Sequence, residues 1–482
     1  MNLALLSHEW LVIGLALAIL VVDLWLPSSS KRNLGYFAAF GIIAILIYSF
    51  VAFGSAADQT RYAFNHMYAL DRLALFFKRF FLLATVLVLF MSVEYAEFIE
   101  AGIAEYYALI LFALTGMLFA SSANHFALLF VSLELITVTF YVLTSFQRAR
   151  LTSLEAGVKY LVIGALSTGF TVFGIALVYG ISRKLDFAGL AAVASQFGNN
   201  RIFLFGLLLV MVGLGFKIAA FPFQIWAPDV YQGAPSPTTA FLAVGSKAAG
   251  FVLLLRVLFI AVPAVSMHWS KLLIVISAVT ILYGNLCAIP QRNLKRLFGY
   301  SSIAHAGYML LGIAALSAAG QSAVLYYLSG YLFTVLGAFT VICLVMTQVE
   351  GEDITALAGL NQRAPLLAVT MTLAMVSLAG IPPLAGFFGK FLLFKAAIAS
   401  GASEPAYYWL VAIAIFGVVV SMYYYFGVVR VIFWGKESQT SPIRTSTPIQ
   451  VCLYGCVVGM LALGLFPNWL LNAASEAVKV LR

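Results

Sequence analysis

Charged residues are scarce in this chain. Only 9% of its 482 residues are Asp, Glu, Lys or Arg, whereas 63% are hydrophobic. A water-soluble domain of this length could not bury so much apolar side chain, which excludes a soluble fold. The apolar runs continue over about 20 residues without the period-two alternation of a membrane barrel. The sequence therefore predicts an all-α integral membrane protein.

Motifs for cofactor, metal or nucleic-acid chemistry are lacking as well. The sequence contains no Cys/His metal spacing, no Walker or dinucleotide glycine loop and no haem-type histidine pair. The basic residues form no patch or stripe, which argues against a nucleic-acid partner. Cysteine is rare, and each copy falls within an apolar segment, which is typical of a packing role. These cysteines are Cys287, Cys343, Cys452 and Cys456.

The N-terminus lacks a basic leader and a small-residue cleavage site, so the first apolar segment is expected to be a retained helix. If the N-terminus lies outside the cell membrane, roughly eleven Lys and Arg residues fall on the cytoplasmic side and seven on the other, which agrees with the positive-inside rule. We therefore expect a multi-pass protein of the membrane with both termini outside.

The apolar runs predict about fourteen spanning helices. Pro222 interrupts one of them, and Pro382 and Pro383 interrupt another five helices later. Proline lacks the N–H of a regular helix and crowds the preceding turn, so both segments should break. An odd offset makes the two broken helices antiparallel, as in an inverted repeat. The expected units are residues 1–103 (helices 1 to 3), 104–262 (helices 4 to 8), 263–436 (helices 9 to 13) and 437–482 (helix 14).

Two lysines flank the first break. Lys217 precedes it and Lys247 follows it, in the stretch GLGFKIAAFPFQIWAPDVYQGAPSPTTAFLAVGSKAAG. A lysine at the middle of a membrane costs about 2.5–3.5 kcal/mol, so such residues usually have a function. Small residues around Lys247 favour close helix packing and room for water. Both lysines are candidates for a polar path, with a structural counter-ion role as the alternative.

Glu134 is predicted to lie near the middle of its helix, with about ten apolar or small residues on each side. We expect its partner to be a lysine on a neighbouring helix, because an isolated buried carboxylate would be protonated. Lys390 lies two turns beyond the second break and shares a face with Pro383 and Gly386. Lys395 lies nearer the helix end and is expected to extend to the membrane surface.

Three further residues have two interpretations each. His305 lies mid-helix, either as a hydrogen-bonded core histidine or as part of a proton relay. Lys295 is either an entry residue or a cytoplasmic anchor, and Lys159, about one turn into its helix, either functions in the path or extends to the surface. The aromatic groups Phe76, Phe77, Phe80, Phe81 and Tyr423, Tyr424, Tyr425 are expected to face lipid or the membrane interface.

Several long motifs resemble one family. The stretches SLEAGVKYLVIGALSTG, PFQIWAPDVYQGAPSPTTAFLAVGSKAAGF, NLKRLFGYSSIAHAGY and SLAGIPPLAGFFGKFLLF are similar to the antiporter-like membrane subunits of the proton-pumping NADH:quinone oxidoreductase, respiratory complex I. The APDVYQGAP motif resembles the N subunits in particular. The similarity extends from about the fourth helix to the thirteenth. Gln224 departs from the family pattern, which usually has histidine there, so a titrating group is absent at that position.

The resemblance implies a fourteen-helix translocase subunit in the membrane arm of a bacterial inner-membrane complex, with no redox site of its own. It implies a Glu–Lys pair at Glu134 and Lys217, a central lysine at Lys247 and the lysine of the second broken helix at Lys390. Lys159, Lys295 and His305 also fall on motif positions. The implied partners are the M and K subunits, lipid and protons, and the implied complex uses FMN, iron–sulfur clusters, NADH and quinone.

Two alternatives share this fold. One is a subunit of a multi-subunit cation/proton antiporter, and the other is a membrane subunit of an energy-converting hydrogenase. A solute carrier is less favoured because the sequence lacks an anion- or sugar-binding constellation, and a purely structural anchor would not need several buried lysines.

Overall fold

The computed structural model describes residues 2–27, 30–53, 59–99, 101–349, 351–402, 404–435, 442–443 and 445–481. Within these ranges, 13 helices are long and apolar enough to cross a membrane. The remaining predicted span is divided between two shorter helices, Pro365–Ala379 and Ala385–Ser400. The all-α membrane fold with about fourteen crossings is therefore confirmed.

The described residues form the following helices, in chain order. The first eight are α1 (Ser7–Asp23), α2 (Asn33–Phe53), α3 (Arg72–Tyr95), α4 (Ile103–Ser121), α5 (Phe126–Thr144), α6 (Leu151–Ser182), α7 (Phe187–Ala194) and α8 (Arg201–Ile218). The next six are α9 (Trp226–Gly233), α10 (Ser236–Phe241), α11 (Lys247–Arg256), α12 (Ser270–Ala288), α13 (Leu294–Ala314) and α14 (Ala318–Met346). The last six are α15 (Leu360–Arg363), α16 (Pro365–Ala379), α17 (Ala385–Ser400), α18 (Ala406–Trp434), α19 (Thr447–Leu465) and α20 (Pro467–Ala477).

A short β-hairpin between α2 and α3 was not predicted. Strands β1 (Arg61–Ala63) and β2 (Tyr68–Leu70) are antiparallel, with Arg61 opposite Leu70 and Ala63 opposite Tyr68. The hairpin packs over the beginnings of α1 and α3, where it contributes to a small apolar cluster.

The first break separates α8 from α9. Helix α8 ends at Ile218, and Ala219 adopts the left-handed conformation with φ 58°. The amides of Ala219 and Ala220 then bond to the carbonyls of Phe216 and Gly215 at 3.0 and 2.9 Å, which satisfies the helix end. Pro222 lies just beyond, so the helix carrying Lys217 ends inside the apolar region.

The second break separates α16 from α17. Helix α16 ends at Ala379, and Gly380 takes φ 86°, a conformation that favours glycine. Pro382 and Pro383 follow, and α17 begins at Ala385. Both breaks therefore combine a left-handed C-terminal residue with a nearby proline.

Close helix contacts position the first break. Helix α8 packs against α6, where Gly174 and Gly206 face each other so closely that a methyl group on either would collide with the opposite backbone. Small residues at such crossings permit backbone contact in membranes. This packing places Lys217 opposite the middle of α5 and α6. The four cysteines are unpaired, and all but Cys287 are buried.

Candidate functional site

Glu134 and Lys217 face the same small cavity between α5, α6 and α8. Lys217 lies in the last turn of α8 and is 3% exposed, and its Nζ donates a hydrogen bond to Thr137 Oγ1 at 3.0 Å. Glu134 is half-buried and accepts a hydrogen bond from Thr168 Oγ1 at 2.6 Å. The cavity lined by these four side chains measures about 20 Å³, which is room for roughly one water molecule.

The expected direct contact between Glu134 and a lysine is not present among the described residues, although Glu134 and Lys217 line the same cavity. Thr137 lies one turn after Glu134 on α5 and provides the hydroxyl that contacts Lys217. The Thr137 hydroxyl donates its own proton to the Leu133 carbonyl at 2.6 Å, so a connection from Lys217 to Glu134 through Thr137 requires this hydroxyl to rotate.

Lys247 lies at the start of α11, directly after the π-helical turn Leu242–Ser246. Its Nζ donates a hydrogen bond of 2.6 Å to the carbonyl oxygen of Ser302 and another to the Ser302 hydroxyl. The Ser302 hydroxyl also contacts the Tyr231 hydroxyl at 2.9 Å. π-Helical turns frequently accompany functional sites, since they change the direction of one side chain within a helix.

The helices of Lys217 and Lys247 are immediate neighbours. Gly250, three residues after Lys247 on α11, lies against the Lys217 stem, where a Cβ on the glycine would be 3.3 Å from Lys217 Cβ. A larger residue at this position would push the two lysine-bearing helices apart.

His305 lies in the middle of α13 among tyrosines. One ring nitrogen contacts the Tyr327 hydroxyl and the other contacts the Tyr425 hydroxyl at 2.9 Å. The Tyr425 hydroxyl also contacts the Ser301 hydroxyl. The ring of Tyr331 lies 5.3 Å from the His305 ring and 6.0 Å from Lys247 Nζ. Aromatic and hydroxyl groups therefore fill the space between the central lysine and the histidine.

Lys390 occupies the second break. Its Nζ donates hydrogen bonds to the carbonyls of Leu378 at 2.7 Å and Ala379 at 3.2 Å, at the C-terminal end of α16. Freed carbonyls at a helix C-terminus favour a cation. The same nitrogen lies 4.9 Å from the centre of the Tyr308 ring, and that ring is 6.0 Å from His305. Lys390 is thus linked to the histidine through one aromatic side chain.

Lys295 is buried and forms an ion pair at the start of α13. Its Nζ lies 2.9 Å from Glu352 Oε1 and 3.1 Å from the Ala234 carbonyl. Glu352 lies in the connection after α14 and also contacts Arg150 and Asn293. Burial opposes ionisation of this carboxyl, but Lys295, Asn293 and Arg150 together lower its pKa below the ordinary value. The Glu352–Arg150 and Lys295–Ala234 contacts join residues 104–262 to residues 263–436 at one end of the bundle.

Lys159 lies in a separate, more exposed ion-pair cluster. Helix α6 begins at Leu151, so Lys159 is two turns into the helix, not one as expected. Its Nζ lies 2.6 Å from both Glu155 and Asp229, and Asp229 also contacts Arg296 at 2.5 Å. The contacts of Lys159 therefore connect α6 to the start of α9, outside the row of buried groups.

Gln224 lies buried between the first break and α9, with 2% exposure. Its side-chain oxygen lacks a hydrogen-bond partner among the described residues. An amide at this position can donate and accept hydrogen bonds but cannot carry a proton.

Tyrosines that were not predicted as site residues surround His305. Tyr423 is 72% exposed, as expected, but Tyr424 and Tyr425 are buried, and Tyr425 contacts His305. The expectation that the whole group faces lipid was therefore wrong. The same holds for the phenylalanine group, in which Phe77, Phe80 and Phe81 are buried in the core. The helical spacing of Ser421 and Tyr425 on one face of α18 was the available signal.

The sequence and fold of this chain match one family of known proteins. Residues 123–421 match the family described as NADH:quinone oxidoreductase/Mrp antiporter, TM. NADH-quinone oxidoreductase subunit N of Trichlorobacter lovleyi is 40% identical, covering 100% of this chain and 98% of that protein.

Solved structures agree with this match. A chain of respiratory complex I from Thermus thermophilus with bound aureothin superposes with a TM-score of 0.81 at 32% identity, over 97% of this chain and 99% of that one. A chain of an archaeal membrane-bound sulfane sulfur reductase superposes with a TM-score of 0.86 at 25% identity, over 99% and 97% of the two chains. The chain described here therefore belongs to the NADH-quinone oxidoreductase subunit N family.

Proposed function

We propose that this chain translocates protons as a membrane-arm subunit of an NADH:quinone oxidoreductase. The observation that carries the proposal is the row of buried groups across the bundle. It runs from Glu134 and Lys217 through Lys247 and His305 to Lys390. Gly250 separates the stems of the two helices that carry Lys217 and Lys247, and tyrosine side chains lie between Lys247, His305 and Lys390. Buried ionisable residues within membrane helices mark proton paths in many pumps and transporters.

Each member has a role in the proposal. Glu134 and Lys217 exchange a proton through Thr137 or through a water molecule in their shared cavity. Lys247 receives the proton near Ser302, and His305 passes it towards Lys390 by using both ring nitrogens. Lys295 and Lys159 hold ion pairs at the end of the bundle where protons enter, next to Glu352 and Asp229 respectively.

The chain divides into functional units under this proposal. Residues 104–262 and 263–436 are the two inverted units, each with one broken helix and at least one buried lysine beside the break. Residues 1–103 and 437–482 supply the flanking helices. The similar ends of α8 and α16 support this division, because both place a left-handed residue and a proline next to a lysine.

The energy source lies in other subunits. The complex in this proposal binds FMN, iron–sulfur clusters, NADH and quinone outside this chain, which acts as a translocase without a redox site of its own. Its neighbours are the M and K subunits of the membrane arm. We place the protein in a bacterial inner membrane with both termini on the periplasmic side.

Two related functions use the same fold. A subunit of a cation/proton antiporter is favoured by the family description, which includes Mrp antiporters. A membrane subunit of an energy-converting hydrogenase would also need a proton path. Purification in mild detergent separates these functions: NADH:quinone activity with flavin and iron–sulfur subunits supports the proposal, whereas an antiporter set without redox subunits, or a partner containing nickel and iron, contradicts it.

The path itself is tested with Lys217→Ala in the assembled complex in proteoliposomes. We expect proton translocation to fall by roughly a hundredfold, since a group that transfers protons typically contributes that much to rate. Lys271→Ala is the control, because the Lys271 side chain is 81% exposed. Equal proton translocation by the two assembled variants would refute the path.

A further inference from the structure

A second cluster of buried charges lies outside the path, between α1, α3 and β2. Glu9 and Lys78 are both fully buried and form an ion pair. The Tyr68 hydroxyl, also buried, accepts a hydrogen bond from Lys78 at 2.9 Å, and its own proton can be donated to Glu9 at 3.2 Å or to the Leu5 carbonyl at 3.1 Å. The three side chains are therefore in mutual contact.

A second ion pair adjoins these three side chains. Arg256 contacts both carboxylate oxygens of Asp71 at 2.9 Å and donates to the carbonyl of Ser121 at 2.8 Å. Asp71 caps the start of α3 and lies three residues after Tyr68. Arg256 lies nine residues after Lys247 on α11, a rise of about 13.5 Å. The helix that carries the central lysine thus ends at this cluster.

Several polar atoms around the cluster lack partners. Ser7 Oγ, both ring nitrogens of His8 and Arg256 Nη1 are buried without a hydrogen-bond partner among the described residues. His8 precedes Glu9 on α1, and its ring packs against Tyr48 and Phe53. Buried polar groups are nearly always hydrogen-bonded, and polar cavities satisfy them with water. Water bound beside the two ion pairs would satisfy these four atoms.

The cluster lies near one face of the bundle. The beginnings of α1 and α3 and the ends of α4 and α11 lie on the same side, because the helices alternate in direction. Glu9 is in the first turn of α1, and Lys78 is about two turns into α3. An apolar layer that includes Leu5, Phe53 and Leu70 covers this end. The charges are thus close to the surface but separated from it by side chains.

We propose that Glu9, Tyr68 and Lys78 form a hydrated proton-exchange site on the side of the N-terminus. The Lys78 ammonium gives a proton to the Glu9 carboxylate, directly or through the Tyr68 hydroxyl, which leaves a neutral amine and a neutral acid. Glu9 then releases the proton to water, and Lys78 accepts another. One proton moves per cycle, and Arg256 and Asp71 keep their charges throughout. This site rests on the proposed function, since it serves a chain that already moves protons.

If the Glu9–Lys78 ion pair were purely structural, substituting both residues would leave proton translocation unchanged. Replacing both partners of a buried pair by apolar residues of similar size is often neutral or stabilising, whereas removing one partner is strongly destabilising. The double variant Glu9→Leu/Lys78→Met should therefore fold and assemble but cannot exchange protons.

The experiment measures proton translocation by the assembled complex in proteoliposomes. We expect the double variant to retain assembly and thermal stability while proton translocation falls by roughly tenfold or more. Glu105→Gln, on an exposed residue in the first turn of α4, is the control and should match the parent protein. Normal translocation by the assembled double variant would overturn the inference.

A second measurement applies if the double variant fails to assemble. Infrared difference spectra of the parent complex and of Glu9→Gln are recorded during NADH oxidation. A carboxyl band that changes with turnover and disappears in Glu9→Gln supports the site, and the absence of such a band refutes it. Lys217→Ala in the same translocation assay separates the two proposals. If Lys217→Ala loses proton translocation while the double variant translocates normally, the exchange site is refuted and the path is retained. If only the double variant loses proton translocation, the path through Lys217 is refuted and the exchange site is retained.

Discussion

The hydroxyl of Thr137 provides a sharp test of how Glu134 and Lys217 communicate. Thr137→Val preserves the shape of the side chain but removes the oxygen that accepts the 3.0 Å hydrogen bond from Lys217. Hydrogen bonds to charged groups contribute about 1.5–3 kcal/mol net. If the proton crosses through this hydroxyl, a barrier increase of that size slows the step by roughly ten- to a hundredfold.

The assay is proton translocation per assembled complex in proteoliposomes, with NADH oxidation recorded in parallel. Thr139→Val is the matched control. Thr139 lies two residues further along α5, and its hydroxyl donates to the Leu135 carbonyl just as that of Thr137 donates to Leu133, both at 2.6 Å. Each substitution therefore removes an equivalent hydrogen bond to a backbone carbonyl, but only Thr137→Val also removes the contact with Lys217. Equal translocation rates in the two variants would refute the role of the hydroxyl.

Two further predictions concern the ends of the site. Lys390→Met should reduce proton translocation strongly, because it removes the amine that bonds to the carbonyls at the end of α16. The control, Lys395→Met on the exposed face of α17, should leave translocation unchanged. Equal rates in the two variants would exclude Lys390 from the path. Glu352→Gln should lower the melting temperature of the purified complex at pH 7, since the lowered pKa of Glu352 in the folded protein contributes stability above its unfolded value of 4.5. That difference should vanish as the pH falls through the folded pKa, and a difference that persists in acid would contradict the ion-pair explanation.

The spans and both breaks could be predicted from the sequence because their causes are local. Continuous apolar runs determine the helices, and proline cannot continue the hydrogen-bond ladder. The buried lysines were recognisable for a related reason. Placing a cation far from both ends of a membrane-spanning apolar run costs free energy, so a lysine at such a position indicates a function. Lys217, Lys247 and Lys390 all proved to be at most 3% exposed.

The partners of these residues could not be predicted, because they come from distant parts of the chain. His305 contacts Tyr327 on α14 and Tyr425 on α18, which are 22 and 120 residues away. Lys78 lies near the start of its helix, where a lysine can usually reach the surface, and only the fold brings it to Glu9, 69 residues away. The hairpin was missed because each strand has three residues and the turn Phe64, Asn65 and His66 contains no glycine despite positive φ angles.

The buried lysines fall into two electrostatic classes, and the difference suits a path with separate ends. Lys217, Lys247 and Lys390 donate their hydrogen bonds to neutral oxygens of hydroxyls and carbonyls. Lys295 and Lys78 are each paired with a carboxylate near an end of the bundle. A paired site can accept or release a proton while its neighbour compensates the charge, which is suited to exchange with water.

Lys247 and Lys390 have no carboxylate partner among the described residues, and Lys217 shares a cavity with Glu134 without contacting it. A charge on one of them repels a charge on the next, and two unit charges about 10 Å apart still interact by about 1.7 kcal/mol at an effective dielectric constant of 20. Arrival of a proton at one lysine therefore favours departure of a proton from its neighbour. Hydroxyl groups between them, such as those of Ser302 and Tyr425, provide hydrogen bonds without fixing a charge in place. In the proposed path, neutral acceptors in the middle and carboxylates at the ends would allow protons to be exchanged at the surfaces and passed on between them.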